Sequence, residues 1–139
     1  MPPLGRIAAI DYGTVRIGIA ITDPDQKIAS PYENYNRTTD TKDAKRFQQL
    51  VTDEKIVLFV VGLPLHTSGN ESQKSQEARK FGKWLGEQTG VAIEFFDERY
   101  TSAHAEEMLI GIDMTRKQRK KRLDMLAAQL ILKGYLERT

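Results

Sequence analysis

The chain has 139 residues, 40% of them hydrophobic and 29% charged, with a formal net charge of +2 and no cysteine. That length predicts one domain spanning 1–139 with a core of its own and no room for two full lobes. Without cysteine there are no disulfides and no thiolate metal sites, so any metal must be held by oxygen or histidine. No apolar run is long enough to span a bilayer, and the start Met1–Pro2–Pro3–Leu4–Gly5–Arg6 lacks a signal-peptide pattern, so the cytoplasm is the expected location.

Ile7 to Ile10 is a continuous apolar run that predicts a short strand, and Val15 to Thr22 predicts a second, joined to the first by a tight connection through Asp11–Tyr12–Gly13–Thr14. Asp23–Pro24–Asp25–Gln26 is a turn by composition. Lys27 to Asn36 reads as a more polar third strand, with Pro31 placing part of it at an edge. Thr38, Thr39 or Asp40 can cap a helix to about Asp53 with Ala44, Phe47, Leu50 and Val51 on its apolar face. Ile56 to Val61 is unbroken and β-branched, the pattern of a strand buried on both faces, and Gly62–Leu63–Pro64–Leu65 ends it.

His66 to Ser75 is polar and reads as a surface loop. A helix follows to Gln88, carrying Ala78, Phe81, Trp84 and Leu85 and stopped at Gly90. Val91 to Phe96 is the next strand and delivers Asp97–Glu98–Arg99 at its end. Thr101 or Ser102 caps a helix through Ile110, and the last helix runs from Arg116 to Glu137, with Thr115 and Gln118 spaced as a capping box. Three strands, helix, strand, helix, strand, helices make a mixed α/β domain.

Asp11 stands at the end of a core strand, where an ionised carboxylate needs a cation, a metal or good donors. Asp97 and Glu98 repeat that placement, and in sheets of this class such strand ends are where ligands bind. A simpler reading pairs Arg99 with one of these acids on the surface. Asp124 contradicts its own helix: on a wheel of about 100° per residue it shares a face with Ala127, Ala128, Ile131 and Tyr135, while Arg122, Gln129 and Lys133 lie opposite. Three carboxylates from separated segments suit an oxygen-only site for Mg²⁺ or Mn²⁺. Two such ions about 3.5–4 Å apart serve in-line phosphodiester hydrolysis.

Arg116, Lys117, Arg119, Lys120, Lys121 and Arg122 form a run broken only by Gln118. Cations in the first turn oppose the helix dipole, so the run costs stability where it stands and suits a polyanion such as nucleic acid. No aromatic interrupts it, which favours phosphate grip over base reading. His66 and His104 are isolated and more simply structural or exposed. Gly13 and Gly18 have phosphate-loop spacing, but Ile19–Ala20 stand where Lys and Ser or Thr are required, which rejects a Walker A site.

Taken together, Ile10–Asp11–Tyr12–Gly13–Thr14, Val61–Gly62–Leu63–Pro64, Asp97–Glu98–Arg99 and Leu123 to Leu132 resemble the bacterial YqgF family of pre-16S rRNA nucleases and Holliday-junction-resolvase-like proteins. The resemblance implies an RNase H-like fold, a five-stranded mixed sheet with the first three strands antiparallel, flanked by helices. By matching position, it carries the family's catalytic, metal-binding acids onto Asp11, Glu98 and Asp124. Related resolvases place an acid at the end of the fourth strand, where this chain has Gly62–Leu63–Pro64, so Glu98 must stand in from the fifth.

The leading expectation is a metal-dependent endonuclease acting on structured RNA, at the 5′ end of a 16S rRNA precursor. It would meet its substrate in a ribosomal precursor particle and grip it through the basic run and Arg99. Resolution of branched DNA would use the same site, and a non-catalytic ribosome-assembly role remains a separate class. Asp-x-Gly-Thr also resembles the phosphate loop of the actin type, but that fold needs two lobes and a second loop.

Overall fold

The computed structural model describes residues 4–64, 72–98 and 116–138, with side chains of the last segment described from Met125 on. Five strands, β1 (Arg6–Asp11), β2 (Arg16–Thr22), β3 (Ala29–Asn36), β4 (Ile56–Leu63) and β5 (Ala92–Asp97), form one sheet of order β3-β2-β1-β4-β5. The pairs β1/β2 and β2/β3 are antiparallel, and β1/β4 and β4/β5 are parallel. Helices α1 (Asp40–Glu54), α2 (Gln73–Thr89) and α3 (Arg116–Glu137) flank it. Among the described residues no helix is long and apolar enough to cross a membrane.

Strand periodicity divides the core. Ala8, Ile10, Phe59 and Val61 pack with Phe47 and Leu50 of α1 and Ala78, Phe81 and Leu85 of α2. The alternate residues Ile7, Ala9, Leu58 and Val60 pack with Ala128, Ile131, Leu132 and Tyr135 of α3. Burying both faces explains why the central strands β1 and β4 read as unbroken apolar runs. β3 lies at an edge as its Pro31 predicts, beside a bulge opposite Ile19 and Ala20.

Several boundaries differ from expectation. β3 starts at Ala29 because the Asp23 carboxylate accepts hydrogen bonds from the Lys27 and Ile28 amides (2.8 and 2.9 Å) and keeps them in the turn. β4 continues through Gly62 and Leu63, which pair with Phe96 and Asp97. The polar segment before α2 becomes helical from Gln73, because Ser72 and Ser75 satisfy each other's amides in a capping box. Gln129 is turned toward the sheet and donates to the Ala29 carbonyl (3.0 Å), while Lys133 stays exposed. The helix expected over 101–110, the Thr115 cap, His66, His104 and Arg99 lie outside the described residues.

Candidate catalytic site

Because β1, β4 and β5 run parallel, their C-terminal ends share one edge of the sheet. Asp11 follows Ile7 and Ala9 at the two-residue period, which puts it on the α3 face, half-buried. Ile10 pairs with Val61 and Val61 with Phe95, so the Asp11, Gly62 and Phe96 positions come level. Glu98 lies just past β5, tied to β4 by its amide donating to the Leu63 carbonyl (3.2 Å).

Gly62 is the gap that brings the two acids together. A Cβ built there would stand 2.2 Å from Glu98 Oε2 and 2.5 Å from Ile131 Cδ1. The Glu98 carboxylate therefore occupies the space over β4 that a side chain would fill, against α3. The missing acid at the end of the fourth strand is matched by a missing side chain, and the acid from the fifth strand reaches into that space.

The Glu98 carboxyl is pushed up to about 7. Burial is the main cause and the negative charge of Asp11 the second; Lys74 opposes them and Asp97 adds to them. Two acids held in a half-buried site at mutual electrostatic cost fit a cation-binding function. Sequence reasoning missed Lys74, an exposed cation in the first turn of α2 whose charge opposes the rise at Glu98. Its only signal was a cation at a helix start, where the dipole disfavours one.

Asp124 lies in α3 seven residues, about two turns, before Ile131. Its side chain, like those of Arg116, Lys117, Arg119, Lys120, Lys121 and Arg122, falls outside the described residues. Among the described residues no group of three potential metal ligands is brought together. The site as described is the pair Asp11 and Glu98.

A family model described as RuvX: Holliday junction resolvase matches residues 5–138. The chain belongs to the RuvX (YqgF) family. A relative from Rhodopirellula baltica named "Putative pre-16S rRNA nuclease" is 49% identical over 136 residues, 98% of this chain and 79% of the relative. One of the same name from Nitrobacter winogradskyi is 39% identical over 137 residues, covering 99% of this chain and 84% of the relative. Two solved structures resemble the fold. Thermus thermophilus RuvC in complex with a Holliday junction substrate has a TM-score of 0.52 at 10% identity, over 94% of this chain and 96% of that one. The fowlpox virus Holliday junction resolvase has 0.54 at 14%, over 95% and 98%. At such identities the likeness shows the fold, RNase H-like, as the resemblance in sequence implied.

In this RuvX chain the opposite sheet face carries a polar network behind Asp11. Arg37 donates to the Tyr12 hydroxyl (3.1 Å) and to Asp43 Oδ2 (3.3 Å), and its guanidinium lies over the Tyr12 and Phe81 rings at 5.4 and 5.6 Å. Asp43, fully buried on α1, also accepts from the Tyr35 hydroxyl (2.6 Å), the Thr38 amide (3.0 Å) and the Thr38 hydroxyl (3.2 Å). The residue after Asp11 is thus held by Arg37, which is itself fixed by the Asp43 carboxylate of α1, and that carboxylate is held by donors from β3 and from Thr38. Helical periodicity does carry a signal for Asp43: at about 100° per residue it shares a face with Phe47 and Leu50, the same conflict that marks Asp124.

Proposed function

We propose that the chain is a divalent-metal-dependent endonuclease that hydrolyses phosphodiester bonds in structured nucleic acid, with the 5′ end of precursor 16S rRNA as substrate and 1–139 acting as one nuclease domain. The observation that carries this reading is the Glu98 carboxylate over Gly62, within the electrostatic reach of Asp11 at the C-terminal edge of the parallel strands. An all-oxygen donor set in which the Asp11 charge raises the proton affinity of Glu98 suits Mg²⁺ or Mn²⁺. Asp11 and Glu98 would hold the ion, with Asp124 as third ligand. When bound, the ion supplies positive charge that offsets the charge building on the phosphate in the transition state.

The chain's own residues fix where this happens. Asp11 is held by β1 and by the anchored Tyr12 beside it. Glu98 must release the proton it holds near pH 7 before its oxygen can act as a ligand. Lys74 favours that release. Arg99 and the basic run from Arg116 to Arg122 would grip phosphates away from the cut. The RNA substrate follows the naming of relatives 37–49% identical. The description of the matching family model favours a second reading, cleavage of a four-way DNA junction by the same acids.

The test incubates the protein and its Asp11→Asn, Glu98→Gln and Asp124→Asn variants with precursor 16S rRNA and with a four-way DNA junction, in Mg²⁺, Mn²⁺ or chelator. Metal-dependent cleavage of the rRNA that each substitution abolishes is the expected result. Preferential cutting of the junction selects the second reading. Binding of precursor rRNA with no cleavage by the parent protein would leave a non-catalytic assembly factor.

A further inference from the structure

A groove of about 230 Å³ opens on the α1/α2 face, lined by Tyr12, Arg37, Asp40, Glu77, Lys80, Phe81 and Trp84. It has room for several waters, each taking about 30 Å³, or for one planar ring. Its floor is aromatic. Phe81 is buried and stacks at a tilt between Tyr12 (centroids 5.0 Å apart) and Trp84 (5.5 Å), both half-buried. Its rim is balanced, with Arg37 and Lys80 against Asp40 and Glu77. A site for a bare phosphate would not carry two carboxylates, and an apolar peptide would not match four charges around so small an opening.

Tyr12 joins this groove to the candidate site. It is the residue after Asp11, so the two side chains leave one strand end toward opposite faces of the sheet. A strand whose phosphate lies at Asp11 and Glu98 has only to cross the sheet edge to bring a neighbouring base to the groove. We infer that the groove is a stacking site for an unpaired nucleobase flanking the scissile phosphate, selective for bases with an exocyclic amino group. Adenine offers such an amino donor, which Asp40 or Glu77 can accept, where uracil offers a carbonyl. Contact with the half-buried Tyr12 and Trp84 rings supplies the affinity, and the Arg37 guanidinium, held over the Tyr12 and Phe81 rings, offers a flat cation on which the base can also stack. The inference rests on the nuclease reading and narrows its substrate to one with unpaired nucleotides beside the cut.

Trp84 is the only tryptophan in the chain, so its fluorescence reports groove occupancy apart from cleavage. The metal-free protein in chelator is titrated with pentaadenylate, pentauridylate and an abasic RNA of equal phosphate count. Pentaadenylate should change Trp84 emission saturably, pentauridylate more weakly and the abasic strand not at all. Tyr12→Leu should weaken pentaadenylate binding about tenfold, the loss expected of one stacked base. Glu77→Gln, which keeps the shape, should reduce the preference for adenine over uracil. Asp11→Asn should keep the Trp84 response while losing cleavage. If Asp11→Asn cleaves like the parent and the response persists, the catalytic reading fails and the groove stands. The groove proposal is overturned by equal response to the abasic strand, by no saturable response to pentaadenylate, or by unchanged binding in a Tyr12→Leu variant whose circular dichroism shows it folded.

Discussion

At Gly62 a single missing side chain decides whether two carboxylates can meet. Its replacement by alanine would place a methyl group 2.2 Å from Glu98 Oε2 and 2.5 Å from Ile131 Cδ1, so something must move. The carboxylate end is the softer neighbour, since Ile131 is locked in the core. Gly62→Ala is therefore expected to cost about 1–3 kcal/mol in stability and to lower kcat at least tenfold, because misplacing a reacting group by about 1 Å can cost as much as a hundredfold. Urea unfolding and cleavage kinetics on one preparation separate the two effects. Glu98 itself carries a pH signature. Its folded pKa of about 7 lies above the ordinary 4.5, so in metal-free protein it adds stability that is full below 4.5 and lost as pH rises through 7. Asp11→Asn removes a negative neighbour and should shrink that loss, read as a flatter unfolding midpoint between pH 5 and 8 in chelator. Affinity for Mg²⁺ should fall as pH drops below about 7, because the ligand must shed its proton. The acids at the two strand ends were legible in sequence because charge after an apolar run is conspicuous. Gly62 was legible only as a strand terminator, because a side chain left out to admit another leaves no mark of its own.

The elements around the site show where periodicity succeeds and where it fails. Every described strand and helix was legible to within two or three residues, because both central strands are buried on two faces and each helix presents an apolar stripe. α1 departs from that logic at Asp43, an acid with no exposed surface among Ala44, Phe47 and Leu50. Burial alone would push its carboxyl up, but hydrogen bonds from Tyr35, Thr38 and Arg37 outweigh it and hold it below the usual 3.8. Its contribution is thus full above 3.8 and lost as pH falls through the lower folded value, well clear of the Glu98 window. Asp43→Ala strands the half-buried Arg37 charge and the Tyr35 hydroxyl together and should cost about 3–5 kcal/mol, measured by denaturant unfolding. Asp43→Asn keeps the shape and some of the hydrogen bonds, and should cost less. Because Arg37 also anchors Tyr12, the Asn variant should lose cleavage activity beyond its loss of folded protein if α1 helps hold the strand end that carries Asp11.

On the scale of the whole molecule, a net charge of +2 conceals a sharp asymmetry along the chain. Six of the first seven residues of α3 are Arg or Lys, and its first turn holds no acid. That arrangement opposes the helix dipole, which favours anions at an N-terminus, so the run is a stability cost that binding to a polyanion would offset. The two effects have opposite signs under one change. Replacing Arg116, Lys117, Arg119, Lys120, Lys121 and Arg122 with glutamine should leave Tm unchanged or raise it, while weakening nucleic-acid binding across all sequences. For every phosphate that these cations no longer neutralise, the slope of log K against log salt should shrink by about 0.7 on single strands and 0.9 on duplex. Fluorescence anisotropy over a salt series on both kinds of substrate measures the slope, and a thermal melt gives the sign of the stability change. A variant that melts earlier and keeps the parent's slope would make the run a structural part of α3. A flatter slope with an equal or higher Tm would place these cations on the phosphate backbone, which supplies affinity without sequence choice and leaves discrimination to groups nearer the cut.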